Sequence, residues 1–346
     1  MELWQELLTS GTSSYDDLRN MGLYFGPDLD TCVYVNAYLL DIIKKQGVDS
    51  PIGKQFIPSI QENHVSPMEM VDSLCEDTYS HGSLVHKYPD RALLYFTGAC
   101  AGLCRFCTRK RRVLSSSHEF ESSQKLEEAI SYLKKHPEID DLLLSGGDPL
   151  LCSDEQLENL FGKLNNIGHL KTIRIGTRTI SVLPQRITEN LCRIFTKYDI
   201  KYINTHFNHP SEITDEATQA VKRLRLAGVN VGCQTVLLKG VNDDEYVMRT
   251  LMKSLYAIGI KPYYIYHADL VVGISHFRAS ISDGVKIMRS MQGWISGMAV
   301  PKYVFDSPIG KVPVSPDYIK EISKGVYDII DYKGKTFRYV EELVDN

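Results

Sequence analysis

From Arg91 onward, short aliphatic or β-branched runs alternate six times with longer segments of helical period, and this alternation limits the fold more than any other feature. The runs are ALLYFT (92–97), DLLLS (141–145), KTIRIG (171–176), KYINTHF (201–207), VNVGCQTVLL (229–238) and PYYIYH (262–267). Helical segments are expected near 123–136, 154–166, 186–198, 212–227, 243–258 and 281–296. Ser153 and Gln156 form a capping box for the second of these, and Gly228 stops the fourth. Six strand–helix units require a parallel sheet covered by helices. Triplets such as LLL and VLL suit strands that are apolar on both faces. An open doubly wound sheet and a partial barrel share this local pattern. Polar residues, however, gather just past the strands, at 100–112, 145–148, 206–209, Gln234 and 267–269. Six strands delivering chemistry to one rim favour the barrel. The expected fold is therefore α/β, a partial (βα)6 TIM-like barrel over 91–298. A helical N-terminal region (1–90) without a clear core of its own precedes it. A C-terminal segment (299–346) closes it, with a strand at 303–306, a Pro-rich crossing and a final hairpin in VYDIIDYKGKTFRYV.

Charge and cysteine usage narrow the function. Thirty-nine Lys and Arg against 43 Asp and Glu leave a net charge of −4. That argues against a surface built wholly to hold nucleic acid. The first residues lack a basic stretch followed by an apolar one, and the most apolar early window, 34–43, is too short to span a bilayer. A cytoplasmic protein without membrane association is expected. Eight cysteines in 346 residues are too few for a disulfide scaffold. Cys32, Cys75, Cys152, Cys192 and Cys233 are scattered, whereas Cys100, Cys104 and Cys107 fall within eight residues just after the first strand.

Three thiolates in C-x3-C-x2-C spacing can ligate three irons of a four-iron, four-sulfur cluster and leave the fourth iron open. An open iron can take the amino and carboxylate groups of S-adenosylmethionine and pass an electron to its sulfonium. A structural zinc site is the competing reading, but it normally needs a fourth protein ligand, and no partner CxxC pair occurs. Ser145-Gly146-Gly147-Asp148-Pro149 follows the second strand, where glycines let a ligand approach the backbone closely.

At this point the sequence resembles the radical S-adenosylmethionine enzymes, and within them the lysine 2,3-aminomutase family. The resemblance runs from about residue 60 to 317 and rests on an ordered set of segments. They are SLVHKYPDRALLYFTGACAGLCRFCTRKRR, DLLLSGGDPL, RIGTRTISVLPQRIT, NTHFNHPSEIT, QTVLLKGVND, KPYYIYHADLVVGISHFR and VFDSPIGKVPVSP. It implies a barrel of the radical S-adenosylmethionine type. It also implies an adenosylmethionine site that includes Ser145, Gly146, Gly147, Asp148, Arg178 and His206.

Further expectations come from the resemblance alone. Pyridoxal 5′-phosphate would be held covalently by Lys311, in a loop about two residues shorter than is usual in the family. Lys87, Tyr88, Arg91 and Gln234 would complete the coenzyme site, with Lys87 standing where the family often has Arg. Arg109 would hold an amino-acid carboxylate, and Asp269 and Asp306 the distal ammonium of lysine. Asp ends two strand-like runs at these positions, although such residues are commonly turn or cap groups. No cysteine follows Cys233, so the C-terminal zinc cysteines of larger members are lacking.

The implied activity is a 2,3-aminomutase, an isomerase shifting the α-amino group of a basic amino acid, L-lysine first, to the β-carbon. Arginine, another cationic amino acid or a lysyl group on a translation factor are alternative substrates for the same chemistry. A radical enzyme of the family that works without the coenzyme is a further alternative. So is a non-catalytic iron–sulfur protein binding RNA through Arg109–Arg112. An electron donor such as flavodoxin or ferredoxin is implied, and self-association is left open.

Overall fold

A computed structural model describes residues 1–113, 122–308 and 310–340. Its main sheet has ten strands paired in chain order. They are β1 (Ser80–His81), β2 (Leu84–Tyr88), β3 (Arg91–Thr97), β4 (Asp141–Gly146), β5 (Thr172–Gly176), β6 (Tyr202–His206), β7 (Asn230–Leu237), β8 (Lys261–His267), β9 (Lys302–Ser307) and β10 (Gly310–Pro313). From β3 to β9 every pairing is parallel, and antiparallel pairs flank this stretch at both ends. A doubly wound sheet reverses its strand order at a switch point. Here the order never reverses, so right-handed crossovers put all the helices on one face and the sheet curls. The result is a partial barrel, with the six expected strands extended by a seventh parallel strand, β9. The hairpin expected at the C-terminal end is present as β12 (Val326–Ile330) and β13 (Thr336–Val340). A further strand, β11 (Ile319–Ser323), pairs with it in a separate small sheet.

The α-helices among the described residues are α1 (Leu3–Thr9), α2 (Tyr15–Asn20), α3 (Ala37–Gln46), α4 (Pro51–Phe56), α5 (Lys110–Val113), α6 (Ser123–Lys135), α7 (Asp154–Asn165), α8 (Thr179–Val182), α9 (Glu189–Lys197), α10 (Asp215–Leu226), α11 (Glu245–Ala257) and α12 (Ile281–Met291). Side-chain caps fix most of their starts, as in the reciprocal Ser153–Gln156 box of α7 and Thr214 at α10. Gly228, with φ of +81°, ends α10 as expected. The helix expected from 186 instead starts at Glu189, because Thr188 caps it and a 3₁₀ turn over Pro184–Arg186 precedes it. No helix of the described residues is long and apolar enough to cross a membrane.

Two expectations change. The strands are not apolar on both faces: Leu142, Leu144, Ile175, Ile203, Val231, Cys233 and Ile265 are buried on the helix side. Their neighbours Arg174, Asn204, Gln234, Tyr264 and Tyr266 are only half-buried and face the barrel interior. An unclosed barrel with a polar lumen has room for ligands, which a filled one lacks. The N-terminal region also does have a core. Trp4, Leu18, Val35, Leu39, Ile43, Ile52 and Phe56 cluster there, and the cluster continues into Ala99, Ala101, Leu151, Val182 and Leu183 of the barrel rim. Its helices are too short and too broken by Gly and Pro for periodicity to reveal this.

Candidate active site

The three cysteines lie in the loop leaving β3, whose conformation is set from both sides. On the N-terminal side, Leu103 N–H donates to Tyr34 O (2.9 Å) and Arg105 N–H to Gln55 O (2.9 Å). The Arg105 guanidinium is buried against Glu62 in a two-pronged ion pair and also reaches Cys32 O and Thr31. On the barrel side, Gly147 N–H donates to Thr97 O and Asp148 N–H to Ala99 O, both at 2.6 Å. The loop is clamped between the two hydrophobic clusters.

Within it, Cys100, Cys104 and Cys107 line one cavity with Gly102, Arg105 and Lys110. Burial, then the neighbouring thiols, pushes Cys100 well up; the same causes push Cys107 up to about 11. Three half-buried thiols gathered on one loop, with Cys100 and Cys107 resisting ionisation, favour cationic metal in place of their protons. Arg178 already brings one cation there, donating from Nη1 to Cys104 Sγ at 2.8 Å while stacked over Phe56 and Phe106. The donor set fits an iron–sulfur cluster.

The expected adenosylmethionine residues surround this loop, in two different capacities. Gly146 and Gly147 are needed for packing: a Cβ on Gly147 would lie 2.1 Å from Ala99 O, and one on Gly146 would lie 2.5 Å from Thr97 O. Ser145 ends β4 beside them, buried. The Asp148 carboxylate accepts from the backbone of Leu150, Arg178 and Thr179 and from the Thr177 hydroxyl. It is a strut between the loops after β4 and β5, with its acceptor capacity already used. His206, at the end of β6, packs edge-on to Phe106 and is hydrogen-bonded to Asn208. Burial, then the Arg178 charge, holds its pKa down at about 3, so the imidazole is neutral.

Gln55 and Glu212 join Arg178 and Asn208 in one buried network that sequence reasoning missed. Gln55 lies in the N-terminal region, where no motif marks it. The Glu212 segment was read only as part of the resemblance.

A second group of polar residues gathers where β8, β9 and β10 meet the rim. Lys311 on β10 is in register with Asp306 on β9, and its Nζ donates to Asp306 Oδ2 at 2.6 Å. The same ammonium lies 5.8 Å from the Tyr88 ring and 5.6 Å from the Tyr266 ring. Asp269 faces them. Its Oδ2 accepts from the Thr108 hydroxyl, while Oδ1 is buried without a hydrogen-bond partner. Burial, then the negative charge of Asp306, raises Asp269 to about 6, against the pull of Lys311 and Arg109. The sequence brought Arg109, Asp269, Asp306 and Lys311 forward separately, and the fold unites them.

Several expected contacts look different in the structure. Arg109 is not free: its Nε and Nη2 donate to Glu76, which also accepts from Tyr95. Only the Nη1 edge stays outside that pair. Lys87 Nζ donates to Leu74 O (2.8 Å) and Pro308 O (3.2 Å), strapping β2 to the loop before Lys311. Arg91 lies over the Tyr88 ring and pairs with Asp90. Gln234 accepts from Tyr263, which in turn accepts from Asn204 inside the barrel.

Residues 94–251 match the Radical SAM superfamily model. The chain is 45% identical over 312 residues to the L-lysine 2,3-aminomutase of Fusobacterium nucleatum, covering 89% of this chain and 73% of that one. It is 46% identical over 308 residues to the L-lysine 2,3-aminomutase of Methanococcus maripaludis, covering 88% and 70%. To the glutamate 2,3-aminomutase of Clostridioides difficile it is 39% identical over 314 residues, covering 89% and 73%. With a four-iron, four-sulfur cluster and S-adenosylmethionine as its cofactors, the chain belongs to the lysine 2,3-aminomutase family of radical SAM isomerases.

Proposed function

We propose that this enzyme moves the α-amino group of L-lysine to the β-carbon and uses pyridoxal 5′-phosphate held by Lys311. The observation that carries the reading is the pairing of two carboxylates, Asp269 and Asp306, beside Lys311, with Asp269 Oδ1 buried and unpartnered. Like charges this close favour a cation between them. In the structure Lys311 supplies one for Asp306 alone. Once Lys311 is committed to a coenzyme it is no longer an ammonium, and both aspartates then need another cation. The distal ammonium of lysine meets that need, whereas a substrate carboxylate would be repelled.

When bound, the cluster and adenosylmethionine supply a hydrogen-abstracting radical, and pyridoxal phosphate a carrier for the migrating nitrogen. The protein's own groups orient and shield. Cys100, Cys104 and Cys107 hold the cluster, and Arg178 and neutral His206 border it on the adenosylmethionine side. Tyr88 and Tyr266 provide aromatic faces around Lys311. Lys87 and Arg91 are the cations on β2 and β3 available to a phosphate, and Gln234 a polar group within the barrel. Arg109, steadied by Glu76, offers its Nη1 edge to the α-carboxylate. An external one-electron donor, flavodoxin or ferredoxin, reduces the cluster.

Anaerobic turnover of a panel of free amino acids, with products resolved by mass spectrometry, tests the reading. Lysine should be rearranged fastest and glutamate not detectably. Faster turnover of glutamate than lysine would overturn it. Borohydride reduction should trap the coenzyme on the Lys311 peptide.

A further inference from the structure

Outside the residues assigned to either cofactor, the described residues hold one group of His, Cys, Asp and Glu side chains whose three ligand atoms lie within 4.8 Å of one another: His86, His136 and Glu138. They come from three places. His86 sits in the middle of β2, His136 caps the C-terminus of α6, and Glu138 lies in the turn that leads to β4. None of them has a part in the radical chemistry described above.

The imidazoles are held in place by aromatic packing rather than left to rotate. Tyr132 stacks on His136 with centroids 4.0 Å apart and on His81 at 4.6 Å, with interplanar angles of 23° in both cases. His86 meets the Tyr132 ring edge-on at 5.9 Å, and its Nδ1 is hydrogen-bonded to the Tyr132 hydroxyl at 3.1 Å. That bond fixes the ring and occupies Nδ1, so a metal ion would be met by Nε2, the arrangement by which an outer hydrogen bond orients a metal-binding imidazole. His136 Nδ1 and Glu138 Oε1 are 2.8 Å apart. Ligands on a tetrahedral zinc ion at about 2.0–2.1 Å stand roughly 3.3 Å from each other, so this pair must open by only about half an ångström.

We propose that His86, His136 and Glu138 form a binding site for a borderline divalent metal ion of the zinc type. Two imidazoles and a carboxylate suit such an ion and not magnesium or calcium, which prefer oxygen ligands alone. Three protein ligands leave a coordination position for water. The ion would staple the middle of β2 to the α6–β4 turn. The next residues of β2 are Lys87 and Tyr88, so the staple would steady the segment that borders Lys311.

The test uses the full chain with its iron–sulfur cluster reconstituted, so that Cys100, Cys104 and Cys107 are occupied. Zinc uptake is measured after dialysis, and the melting temperature is read with and without zinc. Wild-type protein should retain one zinc per chain and melt higher when loaded. His86→Ala/His136→Ala should lose that equivalent and the shift. Equal uptake and shift in both proteins, or no retained zinc in the wild type, would overturn the proposal. Zinc-edge X-ray absorption on the wild type decides the matter even if the double variant fails to fold. A shell of two imidazoles and oxygen supports the site, and a shell containing sulfur refutes it.

Discussion

Arg109 carries its own counter-ion, and this changes what a substrate carboxylate has to do to reach it. Burial acts to raise Glu76, but the guanidinium beside it and the hydrogen bonds from Arg109 and Tyr95 bring it down to about 2. A carboxyl lowered in the folded state from 4.5 to about 2 stabilises the fold by roughly 3 kcal/mol at neutral pH. That contribution is complete above about pH 4.5 and is lost as pH falls through about 2. Glu76→Gln should therefore be markedly less stable than wild type at pH 7, with the gap closing toward pH 2. Denaturant midpoints across that range check it, and a gap independent of pH would show that Glu76 is not the ionised partner of Arg109. Asp269 behaves oppositely. Its carboxyl is raised from 3.8 to about 6, so the folded protein keeps the proton that the unfolded chain releases. Stability falls as pH rises from about 3.8 to about 6, and a bound ammonium reverses this by favouring the carboxylate. In the coenzyme-loaded enzyme Lys311 no longer pulls this carboxyl down, so it should titrate above about 6. The KM for lysine should then rise by about tenfold per pH unit on the acid side of the Asp269 pKa and be flat on the alkaline side. Asp269→Asn should raise KM and remove this dependence.

Among elements, the junction of β3 and β4 shows how a motif can be legible while its physical reason is not. The Gly146–Gly147 pair suggested a backbone open to a ligand. In the structure the pair is closed against the backbone of Thr97–Ala99, and Gly146 has φ of +116°, which favours glycine. Gly147→Ala should displace the cysteine loop while leaving the barrel folded, since the clash is with Ala99 O and not with the core. Iron content after reconstitution should drop several-fold with an unchanged far-ultraviolet dichroism spectrum; full iron loading would show that the loop can yield. The six barrel strands and the helices between them were readable to within a few residues, because runs such as DLLLS and caps such as Ser153 act locally. Asp148 lies beside the cluster loop, yet three of its four hydrogen-bonding partners, Thr177, Arg178 and Thr179, lie on another loop that only folding brings near. Glu76, Gln55 and Thr108 were missed for the same reason: each matters through a partner at least 19 residues away in sequence.

For the molecule as a whole, residues 1–60 showed no functional signal in sequence, and their position in the fold explains both the silence and the role. They form a cap whose core runs without a break into the barrel rim at Ala99, Ala101 and Val182. Asn36 sits at the seam, buried, capping α3 while its amide donates to Ala101 O (2.7 Å) and Val182 O (2.9 Å). Such a cap reaches the cysteine cavity through scattered residues such as Thr31 and Gln55 rather than through a motif, and the cysteine loop has its outer wall there. Just beyond the cap, Glu62 forms a buried ion pair with Arg105 of the cysteine loop, their side chains being 1% and 4% exposed. Removing one partner of a buried pair leaves an uncompensated charge and typically costs about 3–5 kcal/mol. Glu62→Gln keeps the shape and removes the charge, leaving the Arg105 guanidinium buried with only the Cys32 carbonyl and the Thr31 hydroxyl as other partners. Because the cap's hydrophobic cluster includes residues of the barrel rim, the loss should appear as a lower denaturation midpoint of a single transition rather than as separate melting of the cap. Cluster retention should fall with it, since Arg105 lies next to Cys104 in the chain. Two resolved transitions, or a Glu62→Gln protein that melts early but holds its iron as firmly as wild type, would mean that the cap and the cysteine loop are stabilised independently.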